Sequence, residues 1–130
     1  MYTAKTKTIS VTVEPRYMAD RSDPVESRFF WAYTVEIANG GATPVQILAR
    51  HWVITDQFGK REDVRGIGVV GEQPVIEPGG SFTYTSGCPL QTPSGTMVGT
   101  YQAVDHNGQV FTVEIPAFSL DIPGQKRVLN

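Results

Sequence analysis

Three glycines in the central part of the chain have the spacing of a phosphate-binding motif. Gly66, Gly68 and Gly71 lie in the stretch RGIGVVGEQPVIEPGG with the pattern G-x-G-x-x-G. Where a helix begins directly after such glycines, its free N–H groups and the positive end of its dipole bind the pyrophosphate of a dinucleotide. Here Pro74 follows soon after Gly71, and Pro78 closes the segment. No helix of useful length can therefore begin at this motif.

Two interpretations of the glycines remain without a helix. In the first, backbone N–H groups from Gly66 to Gly71 form an anion nest, assisted by Arg65, Arg61 or Lys60, which would bind pyrophosphate or a nucleotide. In the second, the glycines form a bulge or tight bend of a β-protein and allow another strand to approach closely. Glu72 stands where the Walker motif has its lysine and would repel phosphate. The second interpretation is therefore favoured.

The other reactive side chains form no recognisable catalytic pattern. They are His51, His106, Cys88 and 13 carboxylates scattered along the chain. Cys88 has no local partner, His106 lies beside a turn pair, and no G-x-S-x-G elbow occurs. The acidic loop of residues 20–26 lacks the EF-hand spacing, and two histidines with one cysteine match no zinc pattern. We therefore predict that the protein is not an enzyme and has neither a resident metal nor a cofactor.

Length, composition and charge restrict the class of protein further. The 130 residues suffice for one domain with its own core, and 40% of them are hydrophobic. Thr and Lys interrupt the apolar residues near the N-terminus, and no apolar run approaches the roughly 20 residues of a membrane span. A single cysteine favours a reducing compartment, and a formal charge of −2 offers no basic surface for nucleic acid. We expect a cytoplasmic protein that binds neither membranes nor nucleic acids.

Apolar and polar residues alternate through most of the chain, with almost no helical period. The alternation predicts about seven strands, in KTISVTVEP, RFFWAYTVEIA, VQILARHWVITD, EDVRGIGVV, SFTYTSG, MVGTYQAVD and VFTVEIPAFSL. Between the last two, Asn107-Gly108 predicts a tight hairpin turn with positive φ angles. The sequence thus predicts an all-β fold: an immunoglobulin-like or fibronectin type III-like two-sheet antiparallel β-sandwich, with a small barrel as the alternative.

The domain organisation is simple. We expect one domain over residues 1–130, with a core from about residue 8 to residue 120 and a flexible tail at residues 121–130. Residues 15–27 are expected to form an exposed loop.

Two of the predicted strands, RFFWAYTVEIA and VQILARHWVITD, are apolar on both faces, although water should cover the outer face of a sandwich strand. Either a bulge shifts the register, or another element of the chain or a partner covers the outer face. Exposed aromatic and arginine side chains are typical of interface centres, so Arg50, His51 and Phe30 are candidate partner-binding residues. A homodimer would be the simplest such assembly. The alternative is that Trp52 packs in the core while Arg50 reaches out at the rim.

Several segments of the chain resemble the ApaG family. They are VQILARHWVITD, GIGVVGEQPVIEPGGSFTYTSG, GTMVGTY, the G-x-x-F at Gly108 to Phe111 and IPAFSL, and the resemblance covers about residues 11–120. The chain departs from the family pattern in its first loop, where it has Arg21-Ser22 in place of Gln-Ser. The resemblance implies a fibronectin type III-like sandwich, in agreement with the strand pattern.

The resemblance also implies an outline of function. Bacterial members stand alone and have been linked to cobalt and magnesium resistance, whereas eukaryotic relatives are domains of F-box and DNA-polymerase-interacting proteins. The family's glycine motif, matched here by Gly66, Gly68 and Gly71, has prompted a suggestion of nucleotide or pyrophosphate binding. We predict a non-enzymatic adaptor that binds a protein partner, with nucleotide or pyrophosphate binding as the alternative.

Overall fold

The computed structural model describes residues 1–124, and these residues form nine β-strands. Two short 3-10 helices, Ala19–Arg21 and Pro24–Glu26, lie between the second and third strands. Neither they nor any other helix in residues 1–124 has the length and hydropathy that a bilayer crossing requires. The strands are β1 (Tyr2–Thr6), β2 (Ile9–Tyr17), β3 (Phe29–Asn39), β4 (Val45–Asp56), β5 (Arg61–Ile67), β6 (Val75–Ile76), β7 (Ser81–Leu90), β8 (Gly95–Val104) and β9 (Val110–Leu120).

The strands form two antiparallel sheets that pack face to face. One sheet has the order β1-β2-β3-β7, and the other has the order β5-β4-β8-β9, with β6 also paired to β4. Alternation of period two directs one row of side chains from each sheet into the space between them. The predicted two-sheet antiparallel sandwich is therefore confirmed, and the small barrel is not formed.

The hydrophobic core lies between the two sheets. Each large apolar side chain that is fully buried there stabilises the fold by about 1.5–3 kcal/mol relative to an exposed position. The largest fully buried side chains are Ile9, Val11, Val13, Trp31, Val35 and Ile37 in one sheet, and Ile47, Met97, Tyr101, Val113 and Leu120 in the other, with Val69 from the loop after β5.

The strand count exceeds the predicted seven because of β1 and β6. β1 has the sequence YTAKT, and it forms sheet hydrogen bonds with β2 alone, at the margin of its sheet. β6 has two residues and pairs with Val45 and Gln46 of β4. Backbone pairing at a sheet margin requires little burial, so hydrophobic alternation does not reveal either strand. β1 also places residues 2–6 in the fold, before the predicted start of the core.

The turn at Asn107-Gly108 joins β8 to β9 as predicted, but its type differs from the prediction. Gly108 has a φ of +79°, whereas Asn107 is not among the residues with positive φ. The amide of Gly108 donates to the carbonyl of Asp105 at 3.1 Å, and the amide of Asp105 donates to the carbonyl of Gln109 at 3.0 Å. This is a three-residue hairpin loop, in which one residue alone needs the left-handed conformation.

A β-bulge at Leu48 explains why β4 is apolar on both faces. The pairing of β4 with β8 shifts register between Ile47 and Ala49. Ile47 is buried before the bulge, and Trp52 is buried after it, so the inward-facing parity changes from odd to even numbers. Arg50 shares the parity of Trp52 and therefore lies on the inner side. Of the two explanations that the sequence left open, the bulge is the one that the structure contains.

The first residues of the predicted flexible tail are anchored to the sandwich. The indole N–H of Trp31 donates to the carbonyl oxygen of Asp121 at 2.9 Å, and Ile122 packs against the core. Residues 125–130, on which the rest of that prediction falls, lie outside the described residues.

Candidate functional site

The sandwich is open along the side where β5 and β7 are the outermost strands of their sheets. On the opposite side β9 contacts both β1 and β2. A groove follows the open side, and we call it the edge groove. Its narrow end has a volume of about 210 Å³, its wide end has a volume of about 670 Å³, and both ends include Ile54, Glu62 and Pro89. The two ends of the edge groove therefore adjoin each other between the two sheets.

The narrow end reaches the aromatic core. Tyr33 and Trp52 contribute to its lining, and their rings meet edge to face with centroids 5.4 Å apart. The sides come from Glu62 and Val64 of β5 and from residues 86–89 of β7. β5 and β7 form the two sides here because each is the outer strand of its own sheet.

Within residues 1–124, Arg50 is the one arginine or lysine that lines the narrow end. Its Nη1 donates to the carbonyl oxygens of Ile67 at 3.2 Å and of Gly68 at 2.9 Å. A Cβ atom on Gly66 would lie 2.7 Å from the Cζ and both Nη atoms of Arg50, so the guanidinium lies flat against this glycine. Glycine is therefore required at position 66 because the side chain of Arg50 packs against it. The φ angle of Gly66 is not positive, so the backbone conformation alone would admit other residues.

The guanidinium of Arg50 has no carboxylate partner. The ion pairs within residues 1–124 are His51–Asp63 and Arg61–Asp63, and neither includes it. Every buried side-chain nitrogen in this part of the chain makes a hydrogen bond. The Nε and Nη2 atoms of Arg50 make none within residues 1–124, so both must be accessible to solvent. A half-buried arginine with free donors and no ion-pair partner has the donor geometry that suits an anion.

Three tyrosine hydroxyls lie in the electrostatic field of Arg50. The hydroxyls of Tyr84 and Tyr101 hydrogen-bond to each other in the core. Burial raises the pKa of both phenols above the ordinary value of 10.0, and burial also raises the pKa of Tyr33. All three therefore stay neutral at physiological pH and do not compensate the positive charge of Arg50.

Cys88 borders the narrow end in an environment that disfavours the thiolate. Its side chain is 1% exposed, and burial raises the pKa of the thiol to about 12. A thiol is nucleophilic as the thiolate, which is negligible at neutral pH with such a pKa.

The wide end has charged residues of both signs. Arg21, Arg28 and Lys60 line it together with acidic residues, among them Glu26 and Asp56. Backbone amides donate to Asp56 Oδ1 at 2.9 Å from both Phe58 and Lys60, which fixes this carboxylate within the β4–β5 turn. The wide end therefore combines charges of both signs with apolar groups such as Phe30 and Leu90.

The second half of the glycine motif is a type I′ turn. Val70 and Gly71 have φ angles of +44° and +80°. The amide of Val69 donates to the carbonyl of Glu72 at 2.8 Å, and the amide of Glu72 donates back at 3.1 Å. Two central residues with positive φ between a doubly bonded pair define this turn. Valine takes the first central position, where a β-branched residue is strained.

The predicted anion nest lacks free amide groups at its centre. The amide of Gly68 donates to the carbonyl of Leu48 at 2.7 Å, and the amide of Val69 also donates to a backbone carbonyl. The carbonyls of Ile67 and Gly68 face Arg50, and Val69 is fully buried in the core. Arg65, the predicted helper, is paired in register with His51 on the outer side of the sheet, away from Arg50. The favoured sequence interpretation, that the glycines serve bends and close approach, agrees with this geometry.

Two of the three predicted partner-binding residues line the edge groove. Arg50 lies at its narrow end, and Phe30 lies at its wide end, where the ring also covers Gly87 on the outer face of the four-stranded sheet. His51, the chain neighbour of Arg50, lies on the outer face of the five-stranded sheet, with Nε2 at 3.1 Å from Asp63 Oδ2. The structure therefore places Arg50 and Phe30 along one groove and His51 on a different surface. All apolar side chains of β3 and β4 are buried or half-buried.

The remaining members of the edge groove were not predicted from the sequence. Tyr33, Glu62, Ser86 and Cys88 come from three strands, and no local spacing connects them. One signal was present: Arg50 has the same parity as Trp52, which is typical of a core position. Within residues 1–124 no group of three or more His, Cys, Asp or Glu side chains is arranged to hold a metal ion.

Comparison with known proteins identifies close relatives of the whole chain. A family model described as the ApaG domain matches residues 19–105. Proteins named Protein ApaG from Xanthobacter autotrophicus and Brucella anthropi are 58% and 57% identical over 130 residues, which is 100% of each relative and of this chain. The crystal structure of a Bordetella pertussis protein described as ApaA has a TM-score of 0.88 and 50% identity, over 90% of this chain and 95% of that chain.

Proposed function

Because the chain belongs to the ApaG family, we propose that it is a non-enzymatic adaptor that binds a segment of a partner protein in the edge groove. The observation that supports this proposal most directly is the open side between β5 and β7. Unpaired strand edges and two adjoining cavities can receive an extended segment, which would use backbone hydrogen bonds for affinity and pockets for specificity.

The size of the groove suits a chain segment. Ligand pockets for small molecules usually have volumes of about 300–1,000 Å³. The wide end, at about 670 Å³, would hold the backbone and several side chains of a partner, and the narrow end, at about 210 Å³, would hold a single side chain or end group. One inserted side chain beside a longer contact is a usual arrangement of an anchored peptide.

The adaptor proposal can be tested by site-specific photocrosslinking in cells. A photoreactive amino acid would replace Gln91, which is exposed at the wide end, or Gln102, which is exposed on β8 outside the groove. We expect protein adducts from position 91 and none from position 102. The captured protein, once purified, should bind the wild-type chain saturably. Equal adducts from both positions, or none from position 91, would contradict the proposal.

Binding of pyrophosphate or a nucleotide at Gly66, Gly68 and Gly71 is the second function that the sequence allowed. Two observations weaken this alternative. Amides of the motif already donate to backbone carbonyls, and Arg65 lies on the outer side of the sheet. A titration with millimolar pyrophosphate, followed by NMR, tests it directly. Saturable shifts centred on residues 66–71 would restore it.

The link with cobalt and magnesium resistance comes to this chain only through its family. We propose that any such role acts through the protein partner, since carboxylate, imidazole and thiol groups are not clustered within residues 1–124. A cytoplasmic location is proposed on the ground of the single cysteine, Cys88.

A further inference from the structure

We propose that the narrow end of the edge groove binds one carboxylate group of the partner's chain, with the guanidinium of Arg50 as the group that recognises it. This inference rests on the adaptor function proposed above and adds the chemistry of the recognised group.

The donors of Arg50 are divided between the fold and the groove. Nη1 is held by the carbonyls of Ile67 and Gly68, which leaves the edge formed by Nε and Nη2. This edge presents two parallel N–H groups, and it matches the two oxygens of a carboxylate. The free donors therefore favour a planar, bidentate acceptor.

The guanidinium is also fixed before any ligand arrives. Two hydrogen bonds hold it from one side, and Gly66 allows it to lie flat on the backbone of β5. A free arginine side chain loses roughly 2 kcal/mol of rotamer entropy when it is immobilised. In this protein folding has already removed most of that freedom, so binding costs less.

The charges of the narrow end favour a single negative charge. Arg50 supplies one positive charge, the phenols of Tyr33, Tyr84 and Tyr101 stay neutral, and Glu62 is exposed at the rim. A pyrophosphate carries several negative charges, and Glu62 would repel those that Arg50 does not compensate. A carboxylate has one charge, and the N–H groups of the chain that carries it would face Glu62 favourably.

The inference is tested with ¹⁵N-labelled full-length protein and blocked amino acids as probes. N-acetylglutamate amide supplies one carboxylate, N-acetylglutamine amide is its neutral isostere, and pyrophosphate is the third probe, all at matched ionic strength. We expect saturable shifts at the Nε–Hε of Arg50 and the amides of residues 86–88 with the glutamate probe alone. Shifts of equal size with the glutamine probe, tighter binding of pyrophosphate at these residues, or no shift would overturn the inference.

Two matched substitutions separate the site from general charge. Arg50→Gln should weaken binding of the glutamate probe about ten-fold or more, since it removes a bidentate charged pair. Arg65→Gln removes the same charge from the outer side of the same sheet and should leave binding unchanged. If Arg50→Gln fails to fold, Arg50→Lys retains the charge without the paired donors and should also bind more weakly. Wild-type affinity in the folded Arg50 variant would refute the assignment.

The two proposals fail separately. Failure of the glutamate probe together with specific crosslinking at position 91 would leave the adaptor function in place and remove the carboxylate recognition. Binding of the probe without any crosslinked protein would instead indicate a site for a free small carboxylate.

Discussion

Gly68→Ala should destabilise the protein considerably more than Gly71→Ala, although both glycines have positive φ. The angles are +66° and +80°, so alanine is disfavoured at each position by the left-handed backbone. The difference lies in the space around the added methyl group. A Cβ at Gly68 would lie 2.2 Å from the carbonyl oxygen of Glu72, whereas a Cβ at Gly71 would meet nothing within 4 Å.

The expected magnitudes follow from these two contributions. The left-handed backbone conformation destabilises a folded protein with alanine at either position by about 1–2 kcal/mol. Alanine also restricts the unfolded chain more than glycine does, which stabilises the folded state by about 0.4–1 kcal/mol. Gly71→Ala should therefore lower the free energy of unfolding by about 1 kcal/mol. Gly68 is buried, and its clash is with backbone, so relief requires movement of the turn and adds about 1–3 kcal/mol. We expect a total loss of about 2–4 kcal/mol for Gly68→Ala.

Urea unfolding followed by tryptophan fluorescence measures both values. Trp31 and Trp52 are buried and should report a single cooperative transition for a domain of this size. The stability of small domains, about 5–15 kcal/mol, leaves both variants measurable. Losses that agree within about 0.5 kcal/mol, or a larger loss for Gly71→Ala, would refute the steric account of Gly68 and with it the placement of this loop against Glu72.

Four further expectations concern single residues. Val70→Asn should raise the free energy of unfolding by about 1 kcal/mol in urea, because asparagine tolerates the positive φ at which valine is strained. Trp52→Ala should cost about 3–5 kcal/mol in the same assay, since the indole is 2% exposed. Cys88, with a pKa raised to about 12 by burial, should resist a thiol reagent at pH 8 and react after denaturation. Hydrogen bonds from Arg61 lower the pKa of Asp63 from 3.8 to about 2. The stabilisation that this carboxylate gives the folded state is therefore present above about pH 4 and is lost as the pH falls through 2. Arg61→Ala should raise the pKa of Asp63, which an NMR titration of the carboxylate would measure.

The long strands and the sandwich could be predicted from the sequence because burial imposes period two on the residues of each strand. β3 shows this rule well, since its buried and less buried residues alternate from Phe29 to Asn39. β1 escaped prediction because an edge strand with the sequence YTAKT buries little, and two-residue β6 is too short to show a period.

The candidate site was far less predictable than the fold. A bulge depends on the pairing of two strands, so the sequence of β4 alone could not assign Arg50 to the inner side. The edge groove requires β5 and β7 to be the outer strands on one side, which is a property of sheet order and not of spacing. The type I′ turn was also hidden, because valine occupies the place where asparagine is usual.

The bulge at Leu48 makes β4 one residue longer than its ladder with β8 requires. Deletion of Leu48 would join Ile47 to Ala49, which already lie opposite the neighbouring residues Ala103 and Gln102, so Arg50 and Trp52 would still face inward. Insertion of one residue within residues 50–55, where β4 pairs regularly with both β5 and β8, would instead exchange the faces of the residues that follow it. The loop at Gly59, where an added side chain meets nothing within 4 Å, has no such constraint. Functional variants with a shorter β4 should therefore lack the bulge residue, and insertions should lie in the loop at Gly59.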